Sequence, residues 1–256
     1  MTVKVIKIGG NVIDSDQALD TFLNDFATVD GPKILVHGGG KIATRLAGEL
    51  GVETRMIEGR RITSKPMLDI AVMVYAGLIN KRIVARLQCL GINAIGLCGA
   101  DGRCITSRRR PATPVDYGEV GDVVAVNGDS ILALIKAGMT PVICAITADI
   151  DGNLLNTNAD TVATEVAKGI STLADTELIY CFEKDGVLAD VNDDSSVIRH
   201  ITPDTVCSLI DNGTISTGML PKVNNAISAV TSSDITRIVI KSSRHLHDDT
   251  GTKITK

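Results

Sequence analysis

Lys7 lies in a short apolar run, Val3 to Ile8, that ends in Gly9-Gly10. A second run, Ile34-Leu35-Val36-His37, empties into Gly38-Gly39-Gly40 and then a helical pattern. Glycine lets a backbone come close to a ligand, and a helix start adds unpaired N–H donors at the positive end of its dipole. Two glycine turns at strand ends, one carrying a lysine, describe a site for an anionic substrate. Lysine inside a buried parallel strand is costly unless it meets an anion, which favours a functional Lys7 over an exposed edge lysine.

Further candidates are spread along the chain. Gly59-Arg60-Arg61-Ile62-Thr63 offers an arginine that can clamp a carboxylate with two parallel hydrogen bonds, although alone each arginine reads as a solvated residue. Asn156-Thr157-Asn158-Ala159-Asp160 opens a helix, with Asn158 as N-cap and Asp160 favouring the dipole. Capping explains most of that stretch, yet two amides and an acid also suit the orientation of lysines and a carboxylate. Thr217-Gly218-Met219-Leu220-Pro221-Lys222 leads into another helix, where a lysine near the positive end is locally unfavourable and so hints at function.

Other readings weaken on inspection. Leu35 and Ile42 break the G-x-x-x-x-G-K-[ST] pattern of a phosphate loop. Gly38, Gly40 and Ala43 fit a dinucleotide fingerprint with Glu58 further on, but Glu58 does not end a buried strand pattern. Arg108-Arg109-Arg110 reads as a solvated hairpin, because aromatics to stack bases make up only 2% of the chain. The cysteines Cys89, Cys98, Cys104, Cys144, Cys181 and Cys207 contain no C-x-x-C pair and read mostly as buried free thiols of a reducing cytoplasm. His37, His200, His245 and His247 form no metal-spaced cluster, and the last two read as a solvated pair.

The elements that must position these residues alternate. Strand-length apolar runs at 3–8, 34–37, 94–97, 123–126, 141–145, 177–181 and 238–240 interleave with helical patterns at 16–27, 41–50, 66–90, 129–137, 159–169, 205–211 and 220–230. Such alternation predicts βαβ units and a mostly parallel sheet. Residues 104–118 read as a hairpin or an excursion beside it, and a lobe boundary is expected near 171–175. With 256 residues, 44% hydrophobic and no Trp, the core must be aliphatic. A net charge of −4 argues against nucleic acid or a membrane surface as partner, and neither a signal peptide nor a spanning segment is visible.

Five motifs occur in order: K-x-G-G at Lys7, V-H-G-G-G at Val36, G-x-R-x-T at Gly59, N-x-N-A-D at Asn156 and G-M-x-x-K-V-N at Gly218. Together they resemble the amino acid kinase family, and within it the members that phosphorylate the γ-carboxylate of an N-acylglutamate such as N-acetylglutamate in arginine biosynthesis. The likeness implies a three-layer αβα sandwich with a mostly parallel open sheet. It implies an N-lobe, 1–174, for the acylated amino acid and dimerisation, and a C-lobe, 175–256, for ATP. Magnesium would be held mainly by the nucleotide phosphates, with no ligating side chain assigned.

Residue by residue, Lys7 and Lys222 match the lysines that stabilise the transferring phosphoryl group, and Asp160 the acid that orients them. Gly38, Gly39, Gly40, Arg61, Asn156 and Asn158 match substrate-binding positions, with Arg61 and Asn156 on the α-carboxylate. Gly9, Gly10, Glu183, Lys184, Asp185, Gly186, Val187, Leu188, Thr214, Ile215 and Ser216 fall where the family contacts phosphates and nucleotide. One departure stands out: the family's T-D-V-x-G reads Phe182-Glu183-Lys184-Asp185-Gly186 here, which aligns Glu183 with the aspartate and leaves Asp185 as an alternative. Siblings acting on N-succinylglutamate, carbamate, glutamate, aspartate or a nucleotide share the scaffold, as would a non-catalytic amino-acid sensor. Arg61 with Asn156-x-Asn158 favours an acylated glutamate. Arginine-inhibited relatives carry an extra N-terminal helix. A first strand starting at Val3 leaves no room for one, so a cytoplasmic homodimer without arginine feedback is expected.

Overall fold

Fourteen strands and nine α-helices account for most of the residues described by the computed structural model, which are all but 58–59, 191, 212–213 and 216–218. The strands are β1 (Val3–Ile8), β2 (Lys33–His37), β3 (Arg55–Ile57), β4 (Arg60–Ile62), β5 (Ala94–Leu97), β6 (Ile105–Arg109) and β7 (Gly121–Val126). They continue with β8 (Thr140–Cys144), β9 (Ile146–Ala148), β10 (Leu154–Asn156), β11 (Thr176–Phe182), β12 (His200–Ile201), β13 (Arg237–Ser242) and β14 (Thr252–Ile254). The helices are α1 (Gly10–Ile13), α2 (Asp16–Thr28), α3 (Gly40–Glu49), α4 (Lys65–Val72), α5 (Asn80–Cys89), α6 (Gly128–Lys136), α7 (Ala159–Ser171), α8 (Pro203–Asp211) and α9 (Leu220–Thr231).

Among the described residues the main sheet runs β12-β14-β13-β11-β1-β2-β8-β5. Every pair from β13 to β5 is parallel, whereas β14 runs antiparallel to β13 and β12 pairs parallel to β14. Val3 and Val5 enter one core with α6, α7 and α9, while Ile6 and Ile8 enter the opposite core with α2, α4 and α5. This period-2 alternation builds the three layers, and it assigns Lys7 to the α7 face. β1 lies at the centre, and the chain proceeds first to β2, β8 and β5 on one side, then to β11 and β13 on the other.

The predicted 123–126 strand is not part of this sheet. It is the end of β7, in a second sheet ordered β10-β9-β6-β7, where the expected 104–118 hairpin supplies its antiparallel partner β6. Its exposed Val124 shows why: an antiparallel strand can leave one face wet, and a short apolar run does not say which sheet it joins. The predicted 66–90 helix has the right extent but is interrupted by a π-helical segment, Met73–Ile79, between α4 and α5. The short elements α1, the β3–β4 hairpin, β10 and β12 carry too little periodicity to read, whereas the four-residue β5 lies at the predicted 94–97. All six cysteines are free, with Cys104, Cys144 and Cys181 buried and Cys89 and Cys207 exposed. His247 is not merely solvated, since its Nε2 meets Thr28 Oγ1 at 2.8 Å.

Candidate active site

The carboxyl ends of β1, β2 and β11 open into two adjoining cavities that share Lys7 and Gly10. Ligands of open α/β sheets bind beyond these ends, where the strand order reverses. Here β1 flanked by β2 and β11 is that point.

The first cavity is lined by Gly38, Gly39, Gly40, Arg60, Arg61, Tyr75, Asn156 and Asn158. Gly39 caps α3 without a side chain of its own, so the first N–H groups of that helix keep their donors free of a side-chain cap. A Cβ on Gly39 would lie 2.3 Å from Ile79 Cδ1 and 2.9 Å from Tyr75 Cδ1, so only glycine fits against the π-helical segment. Arg61 is 8% exposed, and its Nη2 donates to Gly40 O at 2.9 Å and Thr44 Oγ1 at 2.7 Å. Its Nη1 is buried with no hydrogen-bond partner among the described residues. An unsatisfied guanidinium N–H is expensive to bury, and a carboxylate in this cavity would complete it. Asn156 donates from Nδ2 to Thr63 Oγ1 at 3.0 Å. Burial pushes the Tyr75 phenol up in pKa, and the neighbouring Arg61 charge opposes it.

The glycine turn is braced from behind. Asn80 Nδ2 donates to Val142 O at 2.9 Å and reaches His37 Nε2 at 3.0 Å. A carbonyl only accepts, so that atom is the amide nitrogen and His37 Nε2 must be the acceptor. The imidazole proton therefore sits on Nδ1, which donates to Gly38 O at 2.9 Å. Burial and the charge of Lys81 hold His37 neutral, with a pKa lowered to about 4. Gly96 makes room for Asn80, since a Cβ there would lie 1.9 Å from Asn80 Oδ1.

The second cavity is lined by Lys7, Gly9, Gly10, Asn11, Lys41, Asp160, Phe182, Glu183, Lys184, Met219 and Lys222. Register explains the pairing of Lys7 with Asp160: Lys7 stands opposite Tyr180 on β11, and both face the first turn of α7. Lys7 Nζ lies 2.7 Å from Asp160 Oδ1. Asn158 Oδ1 accepts from Asp160 N at 2.8 Å and Thr161 N at 3.1 Å, so capping and placement of the acid are one act. Lys222 reaches in from the first turn of α9, its pKa lowered by burial and raised in turn by Asp160. Asn11 donates to Glu183 and accepts from Lys41, a chain that crosses the cavity from α1 and α3 to the end of β11.

Not every expected nucleotide contact lines these cavities. Lys184 lines the second cavity while its ammonium pairs with Asp194 at 2.6 Å, but Asp185 lines neither cavity and faces His245 at 3.8 Å. Val187 is fully buried in the core and its N–H donates to Thr252 Oγ1, Leu188 bridges Val197, and a Cβ on Gly186 would meet Val197 and Thr252. The side chain of Ile215 is likewise in the core, Thr214 is half-buried, and Ser216 lies outside the described residues, as do Glu58, Gly59, Thr217 and Gly218. Sequence reasoning missed Tyr75, the His37–Asn80 pair, Lys41, Asn11 and Phe182. Lys41 directly follows the glycine triplet, and Phe182 follows Tyr180 at strand period, so both had a positional signal.

The amino acid kinase family matches residues 2–242. The acetylglutamate kinase of Phocaeicola vulgatus is 48% identical over 252 residues, covering 98% of each chain. Among solved structures, smu.665 from Streptococcus mutans is 28% identical with a TM-score of 0.77, covering 99% of this chain and 98% of that one. Carbamate kinase from Giardia lamblia bound to AMP-PNP shares the fold at 16% identity and a TM-score of 0.72, covering 99% of this chain and 98% of that chain.

Proposed function

The chain belongs to the amino acid kinase family, and from that premise we propose that it transfers the γ-phosphoryl group of ATP to the γ-carboxylate of N-acetylglutamate, a step of arginine biosynthesis. The observation that carries the substrate side is the buried Arg61 Nη1 left without a partner beside the glycine cradle. In this reading Arg61 and Asn156 hold the α-carboxylate, and the N–H groups of Gly39 and Gly40 face the acceptor end. ATP takes the adjoining cavity, so that Lys7 and Gly10, which border both, meet the transferring group.

The chemistry follows from charge. A side-chain carboxylate has a pKa of about 4.3 and is already a nucleophile at neutral pH, so no general base is required. The obstacle is repulsion between two anions on an in-line path, and catalysis reduces to positioning and positive charge. Lys7 and Lys222 bring that charge, fixed in advance of reaction, and Asp160 keeps Lys7 in place. Among the described residues the acids lining the nucleotide cavity are Asp160 and Glu183, and no three His, Cys, Asp or Glu side chains are grouped to hold a metal ion. That donor set suits a magnesium ion carried by the nucleotide phosphates, which would supply further positive charge. We further assign 1–174 to the acylated amino acid, 175–256 to the nucleotide, and a cytoplasmic homodimer as the working form.

Trapping the acyl phosphate with hydroxylamine tests the reading. With ATP, N-acetylglutamate should yield the hydroxamate. Product from N-succinylglutamate alone would keep the reaction and change the acyl group. Product from free glutamate alone, or from none of the three, would overturn it.

A further inference from the structure

Phe182 ends β11 and lines the nucleotide cavity between the two lysines. Lys222 Nζ lies 3.8 Å from the centroid of its ring, and Lys7 Nζ lies 5.1 Å from it. The ring is itself fixed: it stacks on Tyr180 with centroids 6.0 Å apart and planes 18° apart. Tyr180 is buried, and its hydroxyl meets Thr164 Oγ1 on α7. Thr164 Oγ1 donates to the carbonyl of Asp160, so ring, hydroxyl and carboxylate are anchored to one turn of one helix.

We propose that Phe182 is a positioning residue whose ring face holds the ammonium groups of Lys7 and Lys222 at the place where the phosphoryl group will pass. This rests on the phosphoryl-transfer reading of the same cavity. Two like charges share this space with two carboxylates: Asp160, which pairs with Lys7, and Glu183, which accepts from Asn11 and acts on Lys222 only through its charge. A carboxylate in direct contact with Lys222 would settle its charge further but would compete with the phosphate oxygens for its N–H donors. The negative face of an aromatic ring attracts the cation without offering a comparable acceptor. The lysines are thereby gathered, while their donors stay available for a trianionic ligand. Preorganised charge of this kind needs no rearrangement at the moment of transfer.

The test replaces Phe182 with mono-, di- and trifluorophenylalanine, which keep the shape and withdraw charge from the ring face, and with leucine. Turnover should fall stepwise along the fluorinated series and about tenfold in Phe182→Leu, with KM for ATP and for the acylated amino acid unchanged. A trifluoro variant that turns over like the parent would overturn the assignment. So would a loss seen wholly in KM for ATP, which would make the ring a nucleotide contact. A second readout does not depend on activity. In protein labelled at lysine Cε, ring-current shifts should move the ε-methylene signals of Lys7 and Lys222 upfield, assigned by Lys7→Arg and Lys222→Arg, and Phe182→Leu should return them to the ordinary range. Ordinary shifts in the parent protein would overturn the proposal even if the hydroxamate assay succeeds. Upfield shifts would support it even if that assay fails, so the two readings stand or fall separately.

Discussion

Lys7 and Asp160 are 153 positions apart in the chain, yet their contact follows from two local facts. Strand alternation turns Lys7 to the α7 face, and the Asn158 cap fixes where the first turn of α7 begins. Both facts were readable from residues: an out-of-place lysine in an apolar strand, and N-x-N-A-D opening a helix. Phe182 was not readable, because an aromatic at a strand end is ordinary core material until a neighbouring helix delivers Lys222 to its face. The residue-scale expectation is that Lys7→Met and Lys222→Met keep the fold and each lower kcat about a hundredfold or more, the cost of removing one preorganised donor. Affinity for the acylated amino acid, measured by calorimetry, should change little. Turnover near the parent value in both variants would remove the lysines from the mechanism.

The long helix of α4, the π-helical segment and α5 shows what an element adds to its residues. Met67, Ala71, Tyr75, Ile79, Ile83 and Leu87 are all buried, a strict spacing of four. An α-helix repeats every 3.6 residues and would drift by about two positions over that span. The wider π turns absorb the difference and keep one face on the sheet, which brings Tyr75 and Ile79 against Gly39 and Asn80 against His37. The strict four-residue spacing was present in the sequence, but helical extent alone was read from it. The packing has a pH signature. His37 is buried neutral with a pKa of about 4, below the ordinary 6.5, so the unfolded chain binds its proton first as pH falls. Its contribution to stability is complete above pH 6.5, declines below it, and is gone once pH drops through about 4. Urea unfolding at pH 7 and pH 5 should show the parent losing about 2 kcal/mol more than His37→Gln between the two. Equal losses would mean that His37 titrates normally and does not brace the glycine turn as described.

At the scale of the molecule, the parallel order around β1 was legible because parallel strands need crossovers and the helices between them are strongly patterned. The second sheet was not, since β9 and β10 are three residues long and their short hairpin joins β6 through the Thr106–Ala148 pair, far apart in sequence. The same molecular scale decides what covers the outside. No helix among the described residues is long and apolar enough to cross a membrane. Met73 and Leu78 are 53% and 44% exposed on the π-helical segment, where hydrogen bonds run from i to i+5 and residues five apart share a face. Two large apolar side chains side by side on the outside of a helix that braces the substrate cradle favour burial against another copy. The protein should therefore elute with about twice the 27.0 kDa mass of one chain in light-scattering chromatography. Met73→Glu with Leu78→Glu should shift it to a single chain with unchanged circular dichroism. Parent protein running as a single chain at micromolar concentration would reject the dimer. A double variant that stays dimeric would move the interface away from this helix.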